Sequence, residues 1–198
     1  MENQTLIGLT GCIGMGKSTT LKIFNSKGVM SWCADEAVTR LYSSGGQAVE
    51  YVKKISPDSV TEGFVSKEAL REDVKKRPEI LKKLERVVSP LLKNDRKKFL
   101  LINSKEKVLI FDLPLLFENN MENDFDITIT VSVSQELQKT RVLSRNTMDE
   151  TLFNLIKSKQ MSDAEKRLKA DYVFETISVE KTKRDIDKLL AQIGFYHA

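Results

Sequence analysis

The sequence contains little of what disulfide-rich proteins and histidine-ligated metal proteins depend on. Of its 198 residues two are cysteines, Cys12 and Cys33, and one is a histidine, His197. Two cysteines are too few for a disulfide scaffold or a cysteine-rich metal site. His197 lies in a stretch where we expect the chain to fray, so any bound metal must have oxygen ligands, a set that suits Mg²⁺.

Long apolar runs are missing as well. No stretch approaches the roughly 20 apolar residues that a membrane-spanning helix needs, and the first four residues lack the basic and apolar layout of a signal peptide. We therefore expect a cytoplasmic protein without a membrane partner. The length of 198 residues, 40% of them hydrophobic, is typical of one domain with room for a small inserted subdomain.

Charge of one sign is not concentrated in any segment. The net charge is +4, and lysine pairs such as Lys53-Lys54 and Lys82-Lys83 are scattered and interleaved with acids. Scattered lysines usually form solvated helix faces, whereas nucleic-acid binding favours a continuous basic stripe. We expect a monomer with no nucleic-acid partner.

The segment around which the chain is organised is residues 11–18, GCIGMGKS. It fits the phosphate-binding pattern of glycine, four residues, glycine, lysine and serine or threonine. Glycines let successive backbone N–H groups converge on phosphate oxygens, Lys17 would reach the β- and γ-phosphates, and Ser18 would ligate Mg²⁺. A chance match is the alternative, but an apolar strand pattern precedes the motif and a helical pattern follows it, as a phosphate loop requires.

Two carboxylates follow predicted strands. Residues 29–33 and 108–112 are both short strand-like segments, the first followed by Asp35 and the second ending in Asp112. Ligands of open parallel sheets bind at the carboxyl ends of the strands, so both acids are candidate site residues. Asp35 is equally suited to be the N-cap of the next helix. Asp112 resembles the acid that orients Mg²⁺ in related folds, the alternative being a turn residue.

A lysine-rich helical pattern covers residues 66–103, with breaks predicted before Pro78 and at Ser89-Pro90. It interrupts the alternation of strands and helices and is the best candidate for an inserted, substrate-binding subdomain. Downstream, the pattern predicts strands over residues 127–133 and 170–175. It also predicts a long helical region over residues 134–168 and a closing amphipathic helix over 179–193. The sequence thus predicts an α/β fold, a five-stranded parallel sheet wrapped by helices, with a helical insertion and a lid.

Arg141 and Arg145 lie four residues apart in the long helical region and so share a helix face. Two guanidinium groups there would close over a triphosphate and neutralise the charge that develops in phosphoryl transfer. Pairing with local acids on an exposed face is the alternative, and the spacing alone slightly favours it.

Taken together, these segments resemble the dephospho-CoA kinases, P-loop enzymes that use ATP to phosphorylate the ribose 3′-hydroxyl of dephospho-CoA in the last step of coenzyme A synthesis. The phosphate loop is shared by many NTPases, but the segment Pro114-Leu115-Leu116-Phe117-Glu118 is more specific. The resemblance covers nearly the whole chain and rests on residues 7–19, Ala34-Asp35-Glu36, residues 67–74, Pro90-Leu91, residues 112–118, Gln160-Met161, Glu165-Lys166 and Ala170-Asp171.

The resemblance implies a domain division and a role for each matching residue. The core would comprise about 1–55 and 104–198, a helical CoA-binding insertion about 56–103, and a lid about 141–165. Asp35 would receive the proton of the attacking hydroxyl. The catalytic residues would be Asp35, Lys17 and Arg145; the ATP site Gly11, Cys12, Ile13, Gly14, Met15, Gly16, Lys17, Ser18, Thr19, Arg141 and Arg145; the substrate site Asp35, Arg71, Pro114, Leu115 and Leu116; and the Mg²⁺ ligands Ser18 and Asp112.

Some positions depart from the family's usual pattern. Cys33 stands where the family has the first acid of an Asp-Ala-Asp segment, and a neutral thiol cannot orient a substrate as a carboxylate does. The other departures are Cys12 for glycine, Ser89 for histidine, Asn146 for aspartate and Thr176 for asparagine. The alternatives to a dephospho-CoA kinase are a catalytically impaired nucleotide-binding protein and a nucleoside monophosphate kinase. The segment after the third strand speaks against the second of these.

Overall fold

A computed structural model describes residues 4–144 and 149–196 and divides the chain into two units. The first comprises Met1–Ser31 and Asn103–Ala198, and the second Trp32–Ile102. Among the described residues, none of the helices is long and apolar enough to cross a membrane.

The described residues form seven strands and nine α-helices, numbered here in chain order. The strands are β1 Thr5–Thr10, β2 Met30–Cys33, β3 Val60–Thr61, β4 Phe64–Val65, β5 Val108–Asp112, β6 Ile127–Ser132 and β7 Tyr172–Glu175. The helices are α1 Lys17–Ser26, α2 Ala34–Tyr42, α3 Val49–Ile55, α4 Lys67–Lys76, α5 Ile80–Ile102, α6 Gln135–Leu143, α7 Glu150–Ser158, α8 Asp163–Lys169 and α9 Val179–Gln192.

Five strands form one sheet in the order β2-β5-β1-β6-β7, and the predicted five-stranded parallel sheet is confirmed. Strand β1 lies at the centre, parallel to β5 on one side and to β6 on the other. Every residue of β5 is buried, as expected for a parallel strand covered on both faces. The pairing of Leu9 with Asp112 sets the end of β5 beside the start of the phosphate loop.

The helical block of the second unit differs from its prediction at two points. No break occurs at Ser89-Pro90 within the described residues, because α5 continues through Pro90. Proline removes one helical hydrogen bond. However, Ile80, Leu84 and Val88 are buried on the N-terminal side of Pro90, and Leu91 and Leu92 on its other side pack partly buried against the same cluster. Upstream, β3 and β4 form an antiparallel hairpin in place of a continuous helical insertion.

The second unit has its own apolar core. Its buried residues come from α2 to α5 and from the hairpin: Leu41, Ala48, Val49, Val52, Val65, Leu70, Ile80, Leu84 and Val88. This contiguous cluster explains why the segment forms a compact unit.

The helical region predicted over residues 134–168 contains three helices, α6, α7 and α8. Each is preceded by a polar N-cap residue whose side chain accepts a hydrogen bond from the first turn: Ser134, Asp149 and Ser162. Ser162 forms a reciprocal capping box with Glu165. These caps are strong helix starts, so they divide the predicted region.

Candidate active site

The phosphate loop links β1, which ends at Thr10, to α1, which begins at Lys17. Gly16 is the N-cap of α1 in the left-handed conformation, with φ 98°. A Cβ there would lie 2.7 Å from Thr176 Oγ1, so glycine is required for both conformation and space. The first turn of α1 contains no acid, which leaves the positive end of the helix available to an anion.

Cys12 occupies a loop position where the related pattern has glycine. Among the described non-glycine residues, the left-handed backbone conformation is adopted by Glu62 and Asn120. Cys12 does not adopt it, so the backbone there accommodates a side chain. That side chain is buried, and its thiol donates a hydrogen bond to the Met161 carbonyl at 3.4 Å. Burial raises the pKa of the Cys12 thiol and keeps it in the uncharged form.

Side chains from distant segments fix the loop from outside. The Ile13 N–H donates to Gln160 Oε1 at 3.0 Å, and the Ile13 carbonyl accepts from Gln138 Nε2 at 2.8 Å. The Thr176 hydroxyl donates to the Met15 carbonyl at 2.7 Å. Pattern reading assigned no role to these glutamines and noted Thr176 only as a departure; Gln160 lies in a segment that carried the family resemblance.

The lysine and hydroxyls of the motif lie at the end of the loop. Lys17 Nζ donates to the Gly11 carbonyl at 2.6 Å, so the ammonium lies across the loop. Ser18 and Thr19 follow in the first turn of α1 and are exposed. The structure thus brings the lysine and both hydroxyls to one loop mouth.

Arg141 lies beside the same loop. It donates from its two terminal nitrogens to the Thr176 hydroxyl at 3.2 Å and to the Thr176 carbonyl at 2.7 Å. Arg141 and Thr176 line a cleft of about 300 Å³ with Gly14, Gly16 and Thr19 of the loop. Arg145, the second predicted lid arginine, lies outside the described residues.

Asp112 ends β5 and is 4% exposed. It pairs with Leu9, and the next N–H, of Leu113, donates to the Leu9 carbonyl at 2.9 Å. Asp112 therefore lies at the strand end beside the loop, at the carboxyl edge of the sheet.

The segment after β5 is anchored in the first unit. The Pro114 carbonyl accepts from the Thr10 hydroxyl at 3.3 Å. Leu115 is 40% exposed, but Leu116 is fully buried and packs over Gly8. Of the three residues assigned to substrate in this segment, Leu115 therefore presents its side chain outward, whereas that of Leu116 belongs to the core.

Asp35 lies in the second unit. Helix α2 begins at Ala34 with Cys33 as its N-cap, so the alternative prediction that Asp35 is the N-cap is wrong. Asp35 is an exposed carboxylate in the first turn of α2. Cys33 makes no capping hydrogen bond with its side chain.

Helices α4 and α5 form a groove of about 380 Å³ in the second unit. Its wall is largely apolar, formed by residues such as Leu70, Val74 and Leu84, and its charged residues are Lys67, Arg71 and Glu85. The groove suits a ligand with an apolar arm and an anionic group.

The first unit has four features that together define a P-loop kinase. They are a glycine loop after the central strand, a helix N-terminus without acids, a lysine across the loop and an acid at the neighbouring strand end.

Comparison with known proteins gives the same class. A family model for dephospho-CoA kinase matches residues 5–180. The dephospho-CoA kinase of Ruegeria pomeroyi is 41% identical over 194 residues, which cover 97% of this chain and 98% of the relative.

Solved structures extend the likeness. A crystal structure from Thermus thermophilus is 30% identical, with a TM-score of 0.83 over 96% of this chain and 98% of that one. A dephospho-CoA kinase from Campylobacter jejuni has a TM-score of 0.67 over 96% and 97%, and at 23% identity it supports the fold alone. The chain belongs to the dephospho-CoA kinase family, and its activity is the ATP-dependent phosphorylation of dephospho-CoA that completes coenzyme A biosynthesis.

Proposed function

We propose that residues 11–19 hold the triphosphate of ATP and that Lys17 exchanges the Gly11 carbonyl for phosphate oxygens when the nucleotide binds. The hydrogen bond from Lys17 Nζ to Gly11 carries the proposal, because it holds the ammonium across the loop mouth. The exposed N-terminus of α1 adds partial positive charge at the same place. Phosphoryl transfer passes through a loose transition state, so such positioning and charge supply most of the catalysis.

Ser18 and Asp112 are the proposed Mg²⁺ ligands. Both offer oxygen donors, which Mg²⁺ prefers, and this ion is usually held by one or two protein oxygens together with phosphates and water. A pair is therefore enough, and the described residues contain no cluster of three or more histidine, cysteine or acidic side chains. When bound, Mg²⁺ neutralises charge on the β- and γ-phosphates.

The cleft beside Arg141 is the proposed site of the nucleoside. Its position next to Gly14 and Gly16 would extend a nucleotide whose phosphates lie in the loop. Arg141, held by Thr176, would approach the phosphates from the side, and Arg145 would do so from a lid formed by about residues 141–165.

The acceptor is proposed to bind the helical insertion of about 56–103, with the remainder, about 1–55 and 104–198, as the core. The groove of the second unit supports this, because dephospho-CoA carries an apolar arm and a pyrophosphate. Arg71 would bind the anionic part, and Pro114 and Leu115 of the first unit are the other proposed contacts of the acceptor. Asp35 would accept the proton of the 3′-hydroxyl as it attacks the γ-phosphate. We propose that the enzyme acts as a cytoplasmic monomer.

The acceptor site is tested by Arg71→Met, with Arg86→Met as the control because Arg86 is an exposed arginine on α5 of the same unit. Loss of a charge-assisted contact of about 1.5–3 kcal/mol raises the KM for dephospho-CoA by about 10-fold or more. The KM for ATP stays within twofold, and the control changes neither constant. Equal values for both variants would remove Arg71 from the acceptor site.

A further inference from the structure

Lys166 on α8 has no exposed side-chain surface. Lysine is almost never fully buried unless it is paired, and here all three directions of its ammonium are used. Nζ donates to Glu118 Oε2 at 2.9 Å, to the Pro114 carbonyl at 3.2 Å and to the Thr10 hydroxyl at 3.3 Å. The buried charge is therefore compensated by three hydrogen bonds.

These acceptors belong to the two segments that flank the phosphate site. Thr10 is the last residue of β1 and directly precedes the loop, while Pro114 lies two residues after Asp112. Lys166 is 156 residues from Thr10 in the chain. One side chain thus links the start of the loop to the segment that carries the proposed metal ligand.

Glu118 extends the link to the junction between α7 and α8. Its second oxygen, Oε1, accepts from the Met161 N–H at 2.8 Å. The Met161 carbonyl in turn accepts from the Cys12 thiol, and Gln160 accepts from the Ile13 N–H. The contacts from Cys12 through Met161, Glu118 and Lys166 back to Thr10 therefore form a closed ring around the first turn of the loop.

We infer that this pair, Lys166 and Glu118, is a positioning device for phosphoryl transfer, here called the brace. It fixes the phosphate loop relative to the Asp112–Pro114 segment and ties both to the α7–α8 junction. Lys166 has no exposed side-chain surface, so it acts through the loop. A shift of the loop by 1 Å would be enough to lower the rate by about a hundredfold.

A purely structural role is the competing explanation, and the two roles separate in one variant. Replacing a buried ion pair by apolar residues of similar size is often neutral for stability. Lys166→Met combined with Glu118→Leu should therefore keep the unfolding midpoint close to that of the wild type, while the directional contacts to Thr10, Pro114 and Met161 are lost. Lys169→Met is the matched control, since it changes an exposed lysine on the same helix.

Initial rates with ATP and dephospho-CoA varied in turn, together with thermal unfolding, decide between the roles. We expect the double variant to fold, to lose about a hundredfold in kcat/KM for ATP and to keep its KM for dephospho-CoA within twofold. A folded double variant as active as Lys169→Met would overturn the inference. If the double variant does not fold, Glu118→Gln decides: a roughly tenfold loss in kcat/KM for ATP supports the brace, and a value equal to the control rejects it.

Discussion

The two units use different chemistry for the ligands assigned to them. In the first, the phosphate loop relies on backbone N–H groups, and its shape depends on glycines such as Gly16, where a side chain would meet Thr176. In the second, the groove is formed by side chains on helices α4 and α5. A backbone site tolerates few residue types, whereas a helical groove accepts many apolar ones. The loop should therefore be sensitive to single substitutions, and the apolar wall of the groove should tolerate them.

The largest effect should come from Lys17→Ala. Removing the ammonium from the developing phosphate charge should lower kcat by about a thousandfold, while circular dichroism shows an intact fold. Lys22→Ala is the control, because Lys22 is exposed one turn further along α1 and should leave turnover unchanged. Turnover of the Lys17 variant near that of wild type would refute the assignment.

Asp35→Asn should have the second largest effect, and it tests a residue of the second unit. Loss of the proton acceptor should reduce kcat by about a hundredfold and leave ATP affinity within twofold. Glu36→Gln, the neighbouring exposed acid in the same helical turn, should have little effect. Parallel loss of kcat and ATP affinity in the Asp35 variant would indicate a structural role instead.

Gly16→Ala measures how strictly the loop requires glycine. Gly28 also has a positive φ, 89°, but open space where a Cβ would lie, so Gly28→Ala should cost only the conformational strain of about 1–2 kcal/mol. Gly16→Ala should cost about 1–3 kcal/mol more, because its Cβ meets Thr176, and should weaken ATP binding. Denaturant unfolding of both variants gives the difference, and equal free energies would contradict the steric account.

Cys33→Asp should produce a smaller and opposite effect. A carboxylate at the N-cap of α2 can accept a hydrogen bond from a backbone N–H of the first turn, which the Cys33 side chain does not do. This bond should stabilise the second unit by about 1 kcal/mol. Cys33→Ala is the control and should not stabilise it. Unfolding midpoints that rise equally in both variants would exclude capping as the cause.

The smallest effect concerns acid stability in the second unit. Hydrogen bonds from Arg77 and then from Ser56 lower the pKa of Asp73 from 3.8 to about 2. A carboxylate whose pKa is lower in the folded than in the unfolded protein stabilises the fold at pH values above its ordinary pKa. This contribution is therefore present above about pH 4 and is lost as the pH falls towards 2. In Arg77→Met the free energy of unfolding should fall less over that pH interval than it does in the wild type. An unchanged pH profile would show that the pair contributes nothing.

What the sequence could predict follows the same division. Residues 11–18 and Asp112 were predictable because a loop motif and an apolar strand are local patterns, and the five-stranded parallel sheet follows from them. The continuation of α5 through Pro90 was not, since burial of Leu84 and Val88 outweighs a local helix breaker. Lys166, Gln138 and Thr176 reach the loop across 125 to 161 residues, and no spacing rule reveals such contacts.

Release of ADP from Mg·ATP by the purified protein tests the central claim most directly. The acceptors are dephospho-CoA, and AMP, CMP and UMP as controls. We expect turnover with dephospho-CoA alone, which would establish that Asp35 works with a cysteine at position 33. Preserved ATP binding without turnover on dephospho-CoA, or turnover on a nucleoside monophosphate instead, would contradict the account.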